Sequence, residues 1–512
     1  MHMLIERGMD MGLVTKSLVL ALSLMLTLSS AQINVKQSEQ IYRSDFPKDF
    51  LFGTASSAYQ YEGAASEDGR SPSIWDTFTK DKNNTVDGSN GSISNDEYHH
   101  YEEDIDLMAK MGIDAYRFSI SWSRLLPEGK GRVNQLGVDY YNNLINGLLE
   151  KGIRPFVTLF HFDLPQVLQD AYGGWLGPEI VDDFRTYADT CFREFGDRVK
   201  DWITINEPSV FILLGFNNGS FPPGRCSKTI GNCAYGDSGT EPYIAGHHVL
   251  LAHGAAVRIY REKYQPKQGG SVGMALSTAW YVPMTSSDAD IMAVQRAVDF
   301  LIGWFLNPVV FGDYPSSMRM VVRDRLPHFT PAESELLKGS VDFIGINYYS
   351  TYYASDHVPP EDEGISFFSD MRCFVSGFRH GISIGPTAAS SWLYIDPYGI
   401  FNVVLYISKA YNHLPIFITE NGVDEANNLS LPLNQSLDDY QRVQYLRDHL
   451  FHLNQAIRSG ADVRGYFIWS LLDDFEWISG YSVRFGLYHV DFTTLKRYSK
   501  ASVRWLTEFL LK

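Results

Sequence analysis

Along this chain, short runs that are apolar at nearly every position alternate with longer stretches in which apolar residues recur at intervals of three and four. Eight such runs stand out: Phe50–Ala58, Ala115–Trp122, Pro155–Phe162, Val199–Ile205, Ser271–Tyr281, Val341–Tyr349, Pro415–Thr419 and Val463–Leu471. Between them lie helical stretches such as Glu102–Met111, Val138–Leu149, Ile180–Phe195, Pro242–Tyr264 and Leu437–Ser459. Strands that alternate with helices return to one sheet in parallel. A run such as Pro415-Ile416-Phe417-Ile418, apolar throughout, suits a parallel strand covered on both faces. Eight βα units predict an α/β fold, a single (β/α)8 TIM barrel with long βα loops.

Catalytic groups of such barrels gather at the carboxyl ends of the strands, so the ends of the runs are where chemistry is expected. Gln60 and Glu62 follow the first run, Arg117 lies in the second, His161 ends the third, and Asn206-Glu207 the fourth. Asn347 and Tyr349 end the sixth, Glu420 the seventh and Trp469 the eighth. Two segments, Thr204–Pro208 and Ile418–Gly422, close a β-branched run with a carboxylate. Asn206 places an amide beside Glu207, and Pro208 removes a backbone donor and ends the strand. One glutamate at a strand end is usually a solvated turn residue. Two on buried strands are the equipment for cutting a glycosidic bond, one as proton donor and the other as anion.

Composition adds limits. The 512 residues are 45% hydrophobic and 14% aromatic, ample for a large core, and no low-complexity linker marks a boundary. A formal net charge of −17, with no cluster of Lys and Arg, argues against nucleic acid as a partner and suits an uncharged small molecule. The start of the chain reads as a leader: Arg7 and Lys16 precede an apolar stretch from Leu18 to Leu28, and Ser29 and Ala31 suit cleavage. That divides the chain into a signal peptide, 1–31, and a catalytic domain, 32–512. The apolar stretch is too short to span a bilayer, and no later one is long enough, so the mature chain is expected to be secreted.

In an oxidising compartment Cys226 and Cys233 could close a short disulfide loop, worth roughly 2–3 kcal/mol on the chain-entropy model. Cys191, in a helical pattern, reads as a buried thiol, and Cys373 lies in an irregular stretch without an evident partner. No cysteine spacing suggests a metal, and no cofactor is expected. Sequons at Asn83, Asn90, Asn218, Asn428 and Asn434 fall in polar, turn-rich stretches and are candidate glycosylation sites.

Several segments together resemble glycoside hydrolase family one, and more narrowly its plant β-glucosidase branch, from about Phe46 to the C-terminus. They include Phe52–Gln60, Tyr116–Trp122, Thr204–Pro208, Glu241-Pro242-Tyr243, Ile418–Gly422 and Gly480–Asp491. The resemblance implies that Glu207 is the general acid/base, Glu420 the nucleophile, and Arg117 the residue that orients the nucleophile and favours its anion. It also implies that Gln60, His161, Asn206, Glu476 and Trp477 contact the glycone hydroxyls, with Tyr349 beside the nucleophile and Trp469 under the sugar ring. Asn347 and Phe485 are expected in the same pocket, and Trp392 resembles the residue that stacks on the aglycone. Hydroxyls need donors and acceptors, and the C–H face of a pyranose needs an aromatic plane.

Two positions narrow the substrate. Branches of the family that act on 6-phosphorylated glucosides carry a small hydroxyl residue and basic groups where this chain has Glu476 and Trp477, and a carboxylate there would repel a phosphate. The typical thioglucosidases replace the acid/base with glutamine, whereas this chain keeps Glu207, so an O-glucoside is expected; as the resemblance to the plant branch has it, the substrates are small plant glucosides, such as those of phenolics or lignin precursors. The family's usual His-Trp-Asp is His161-Phe162-Asp163 here, and Asp396 follows Trp392-Leu393-Tyr394-Ile395 where a less polar residue is usual. Side chains between Ser355 and Ser383 cannot be placed, which leaves the aglycone unread. Transglucosylation to an acceptor other than water uses the same two carboxylates and stays an alternative, as does a catalytically silent sugar-binding barrel. The sequence is silent on oligomeric state.

Overall fold

Each of the eight apolar runs becomes a strand of one closed barrel in the computed structural model, which describes residues 40–360 and 363–511. The expected leader, 1–31, lies outside the described residues. The strands are β1 (Leu51–Ala55), β2 (Ala115–Ser119), β3 (Arg154–Phe160), β4 (Asp201–Asn206), β5 (Ser271–Pro283), β6 (Phe343–Asp356), β7 (Ile416–Asn421) and β8 (Val463–Trp469). Neighbours in this order pair in parallel, and β8 pairs with β1, so the cylinder has no free edge.

The floor of the barrel is aromatic. Phe156 on β3 stands 5.5, 5.1 and 5.0 Å from the rings of Phe343, Phe417 and Phe467, all tilted steeply to it. Each such pair contributes about 0.5–1.5 kcal/mol beyond the area it buries. Glycines on the neighbouring strands make the room: a Cβ on Gly53 would come within 2.6 Å of the Phe467 ring, and one on Gly273 within 2.5 Å of Phe343.

The outer helices follow the three-four period. The helix Ile180–Phe195 has the predicted ends and buries Phe184, Tyr187, Cys191, Phe192 and Phe195 on one face. Asp182 and Asp183 in its first turn and Arg193 in its last suit the helix dipole. Helices Glu97–Met111, Gln135–Glu150, Glu241–Ile259 and Tyr440–Arg458 match the other predicted stretches with shifted ends, and Tyr260–Tyr264 continues Glu241–Ile259 as a π-turn.

The loop above the barrel differs from expectation. β5 and β6 stay paired to Pro283 and Ala354, well past the barrel rim, because a run of Thr and Tyr favours extended chain. A strand Cys373–Ser376 then pairs antiparallel with β6, which corrects the reading of Cys373 as lying in an irregular stretch. The segment Ser355–Ser383 also holds a helix, Phe367–Met371, and a two-residue ladder, Phe378–Arg379 with Ile382–Ser383. Elements this short leave no period to read. Cys226 and Cys233 are joined, with Cα atoms 5.4 Å apart, while Cys191 and Cys373 are free and buried. Asn83, Asn90, Asn218, Asn428 and Asn434 are all exposed. Among the described residues no helix is long and apolar enough to cross a membrane.

Candidate active site

Both strands that carry the paired glutamates break register near their carboxyl ends. β4 shifts against β5 between Ile203 and Asn206, and β7 shifts against β6 between Ile418 and Glu420. Such irregularities re-aim side chains, and here they turn the last residues of two regular strands toward the barrel mouth. Glu420 lies inside β7, one residue short of its end, whereas the sequence placed it just past the strand. Glu207 follows β4 in the left-handed region, φ 41° and ψ 59°, at a cost of about 1–2 kcal/mol for a residue with a Cβ. Its N–H donates to the Ala275 carbonyl at 2.9 Å, and Pro208 starts the helix Pro208–Ile212, so the chain is pinned on both sides of the unusual residue.

The two carboxyl groups have different company. Glu420 Oε1 accepts from the fully buried Arg117 guanidinium at 2.6 Å, and Oε2 accepts from the Tyr349 hydroxyl at 2.8 Å. Arg117 also donates to the Thr419 carbonyl at 3.0 Å and to Asn206 Oδ1 at 2.6 Å, which fixes its plane. Glu207 Oε1 accepts from Asn347 Nδ2 at 3.0 Å, and the same amide reaches Asn206 Oδ1 at 3.1 Å. Thr419 Oγ1 donates to Asn347 Oδ1 at 2.6 Å. An unbroken chain, Glu420–Arg117–Asn206–Asn347–Glu207, therefore runs from one carboxyl to the other. Asn347 is expected from the sequence only as a pocket residue; its place between the carboxylates is missed, because spacing along a sequence does not show which strands become neighbours.

Burial pushes the Glu207 carboxyl up to about 8, and the charge of Glu420 adds to the shift, against the opposing donation from Asn347. Near neutral pH, Glu207 holds its proton. An ion pair and phenol on one carboxyl, and a proton on the other, are what acid-assisted displacement at a carbon requires.

The residues expected around the sugar assemble about this pair. His161 accepts from Asn206 Nδ2 on Nε2 at 3.1 Å, and burial together with Arg117 holds its imidazole well below its usual range, hence neutral. Its ring lies nearly parallel to Trp469 and Trp477, at 5.8 and 6.0 Å. Gln60 donates to Glu476 Oε2 at 3.3 Å and to the Phe475 carbonyl at 3.1 Å, and accepts from Ser57 Oγ at 2.7 Å. Burial first, and the charge of Asp474 next, push the Glu476 carboxyl well above its usual range. The Tyr349 ring stands edge-on to Phe485 at 6.1 Å and to Trp392 at 5.8 Å. Trp392 is 46% exposed, unlike the buried Trp469 and Trp477.

One sequence expectation changes. Glu62 follows the first strand but turns away to a buried pair with Arg124 at 2.9 Å and Tyr141 at 2.5 Å, a packing role. Phe162, where the family usually has tryptophan, adopts φ 73° and sets its ring 4.9 Å from Trp477, so the aromatic body is kept. Asp474 is a residue that the sequence reading misses. It is buried and accepts from Gln60 at 3.4 Å, and the acidic pair Asp473-Asp474 straight after Leu471-Leu472 is the available signal. Among the described residues, no group of three or more His, Cys, Asp or Glu is placed to hold a metal ion.

The model of glycosyl hydrolase family 1 matches residues 42–512. β-Glucosidase 12 of Oryza sativa subsp. indica is 52% identical over 98% of this chain and 99% of its own length. The coniferin β-glucosidase of Pinus contorta is 52% identical over 91% of this chain and 92% of its own. A solved structure of a rice β-glucosidase mutant in a covalent complex with glucose superposes with a TM-score of 0.91 at 50% identity, over 92% of this chain and 99% of that one. With matches of this length and identity, the chain belongs to glycosyl hydrolase family 1 and is a β-glucosidase of the retaining kind.

Proposed function

We propose that Glu420 attacks and Glu207 supplies the proton, in the hydrolysis of terminal β-D-glucosyl residues from small O-glucosides of phenolics or monolignols. The observation that carries this division of roles is the asymmetry of the pair. Glu420 accepts from a guanidinium and a phenol, and Glu207 accepts from a neutral amide and keeps its proton to about pH 8.

In the first step a Glu420 oxygen bonds to the anomeric carbon while the bond to the aglycone oxygen breaks, and Glu207 protonates that oxygen as it leaves. Esterification removes the charge of Glu420, one of the two causes that hold the Glu207 proton. Glu207 can then ionise and deprotonate the water that releases glucose with its configuration retained. Gln60, His161, Asn206, Glu476 and Trp477 hold the glycone hydroxyls, with Asn347 and Phe485 beside them and Trp469 against the ring face.

The pH dependence follows with a definite sign. Glu207 acts as an acid in its protonated form, which is lost as pH rises through about 8, so kcat/KM for a glucoside with a poor leaving group should fall about tenfold per pH unit above that point. A profile flat to about pH 10 would contradict the assignment of Glu207.

Support for an aromatic aglycone comes from Trp392, a half-exposed plane against Tyr349, and from the coniferin β-glucosidase of Pinus contorta. The leader read at 1–31 and the exposed sequon asparagines support a secreted glycoprotein of cell wall or vacuole, glycosylated at some of Asn83, Asn90, Asn218, Asn428 and Asn434. The test is a panel of aryl, monolignol and alkyl glucosides, fucosides, galactosides and 6-phosphoglucosides, with products followed in water and with added alcohol. Fastest release from monolignol or phenolic glucosides is the expected result. Faster turnover of alkyl or phosphorylated substrates would overturn the substrate class, and transfer to alcohol exceeding hydrolysis would favour a transglucosidase.

A further inference from the structure

We infer that Asp424 and Ser390 form a positioning clamp, which ties the wall carrying Trp392 to the strand carrying Glu420 and so sets the width of the leaving-group site. The inference rests on the roles proposed above for Glu420 and Trp392.

Asp424 lies just beyond β7, is 1% exposed, and accepts on one oxygen from both the backbone N–H of Ser390 at 2.9 Å and its hydroxyl at 2.6 Å. A buried carboxyl is unfavourable unless donors satisfy it; Oδ2 receives two donors from a single residue of a different loop, while Oδ1 is buried without a hydrogen-bond partner, so the Ser390 contacts are the side-chain bonds that hold this group. Ser390 opens the turn that presents Trp392: its carbonyl accepts from the Leu393 N–H at 3.1 Å, and the Leu393 carbonyl in turn accepts from the Ala388 N–H at 3.0 Å. On the far side of the turn, the Tyr352 hydroxyl donates to the Trp392 carbonyl at 2.5 Å. The indole itself is half exposed and meets Tyr349 edge-on, so its place is fixed by the backbone bonds that flank it.

The other end of the clamp is rigid. The Val423 carbonyl accepts from Arg442 Nε at 3.3 Å and Nη2 at 3.1 Å, which holds the Asp424 segment against the helix Tyr440–Arg458. The strand bearing the nucleophile and the loop bearing the aglycone platform are thus tied through a single carboxyl group, between residues 34 apart in sequence. The Asp424 charge also bears on Glu476, on the glycone side of the site.

The test compares β-glucosyl fluoride, whose leaving group is too small to reach Trp392, with phenyl and naphthyl glucosides. Ser390→Ala removes one of the two donors and should lower kcat/KM for the aryl glucosides about fivefold, with the fluoride changed less than about twofold. Ser390→Thr keeps the hydroxyl and should restore the native ratio. Ser390→Ala combined with Trp392→Ala should cost little more than Trp392→Ala alone, since both act on one wall. Equal losses on fluoride and aryl glucosides, no loss at all, or additive effects in the double variant would overturn the clamp. Native aryl activity in Trp392→Ala would instead overturn the reading of Trp392, so the two failures are told apart.

Discussion

Replacing Glu420 by alanine is expected to lower glucoside hydrolysis by at least about 10⁴-fold, whatever the leaving group. With no oxygen to bond to the anomeric carbon, neither activated nor poor substrates can form the glycosyl-enzyme. The substitution also strands Arg117, fully buried and deprived of its partner at 2.6 Å, so a loss of thermal stability should accompany the loss of activity. The two effects are separated in the native protein. A 2-deoxy-2-fluoroglucoside with an activated leaving group should inactivate it and leave the tag on the peptide containing Glu420. A tag on any other residue would remove Glu420 from the role of nucleophile, however inactive the variant.

Glu207→Gln should give a different pattern, because it removes a proton and little else. Glutamine retains an oxygen that can accept from Asn347 Nδ2, so the bridge to Asn206 is preserved. Glucosides with poor leaving groups should slow about 10²–10⁴-fold, the usual worth of a positioned acid. Dinitrophenyl glucoside needs no proton and should form the glycosyl-enzyme at nearly the native rate. Water without a base then attacks slowly, the intermediate accumulates, and azide, which needs no deprotonation, should restore turnover. Equal slowing on both substrates without azide rescue would assign the proton to another group.

The barrel is legible because its strands are buried on both faces and therefore apolar throughout, as in Ile416–Ile418. The positions of the site residues follow, since a barrel puts strand ends together. What the sequence hides depends on contacts between strands. Asn347 looks like a pocket amide until β4 and β6 are seen on either side of β5, and only then does it join Glu207 to Asn206. Glu62 looks like a site residue until the side chains of Arg124 and Tyr141 are seen to claim it. Ser390 and Asp424 carry no signal at all in one dimension, being ordinary polar residues on separate loops. The segment after Asp356 is unreadable for another reason: a helix of five residues and strands of two and four have no periodicity.

Glu207 sits in a backbone conformation that glycine would adopt freely and asparagine would tolerate. Folding and catalysis therefore ask for different residues at the same position. The substitution Glu207→Gly would relieve the local strain and make that turn sturdier, yet it would leave the protein without its acid. Selection for heat resistance alone would reward such a chain, so any programme to toughen this enzyme has to screen for glucose release at every round, or the improvement it finds will be the loss of the catalyst.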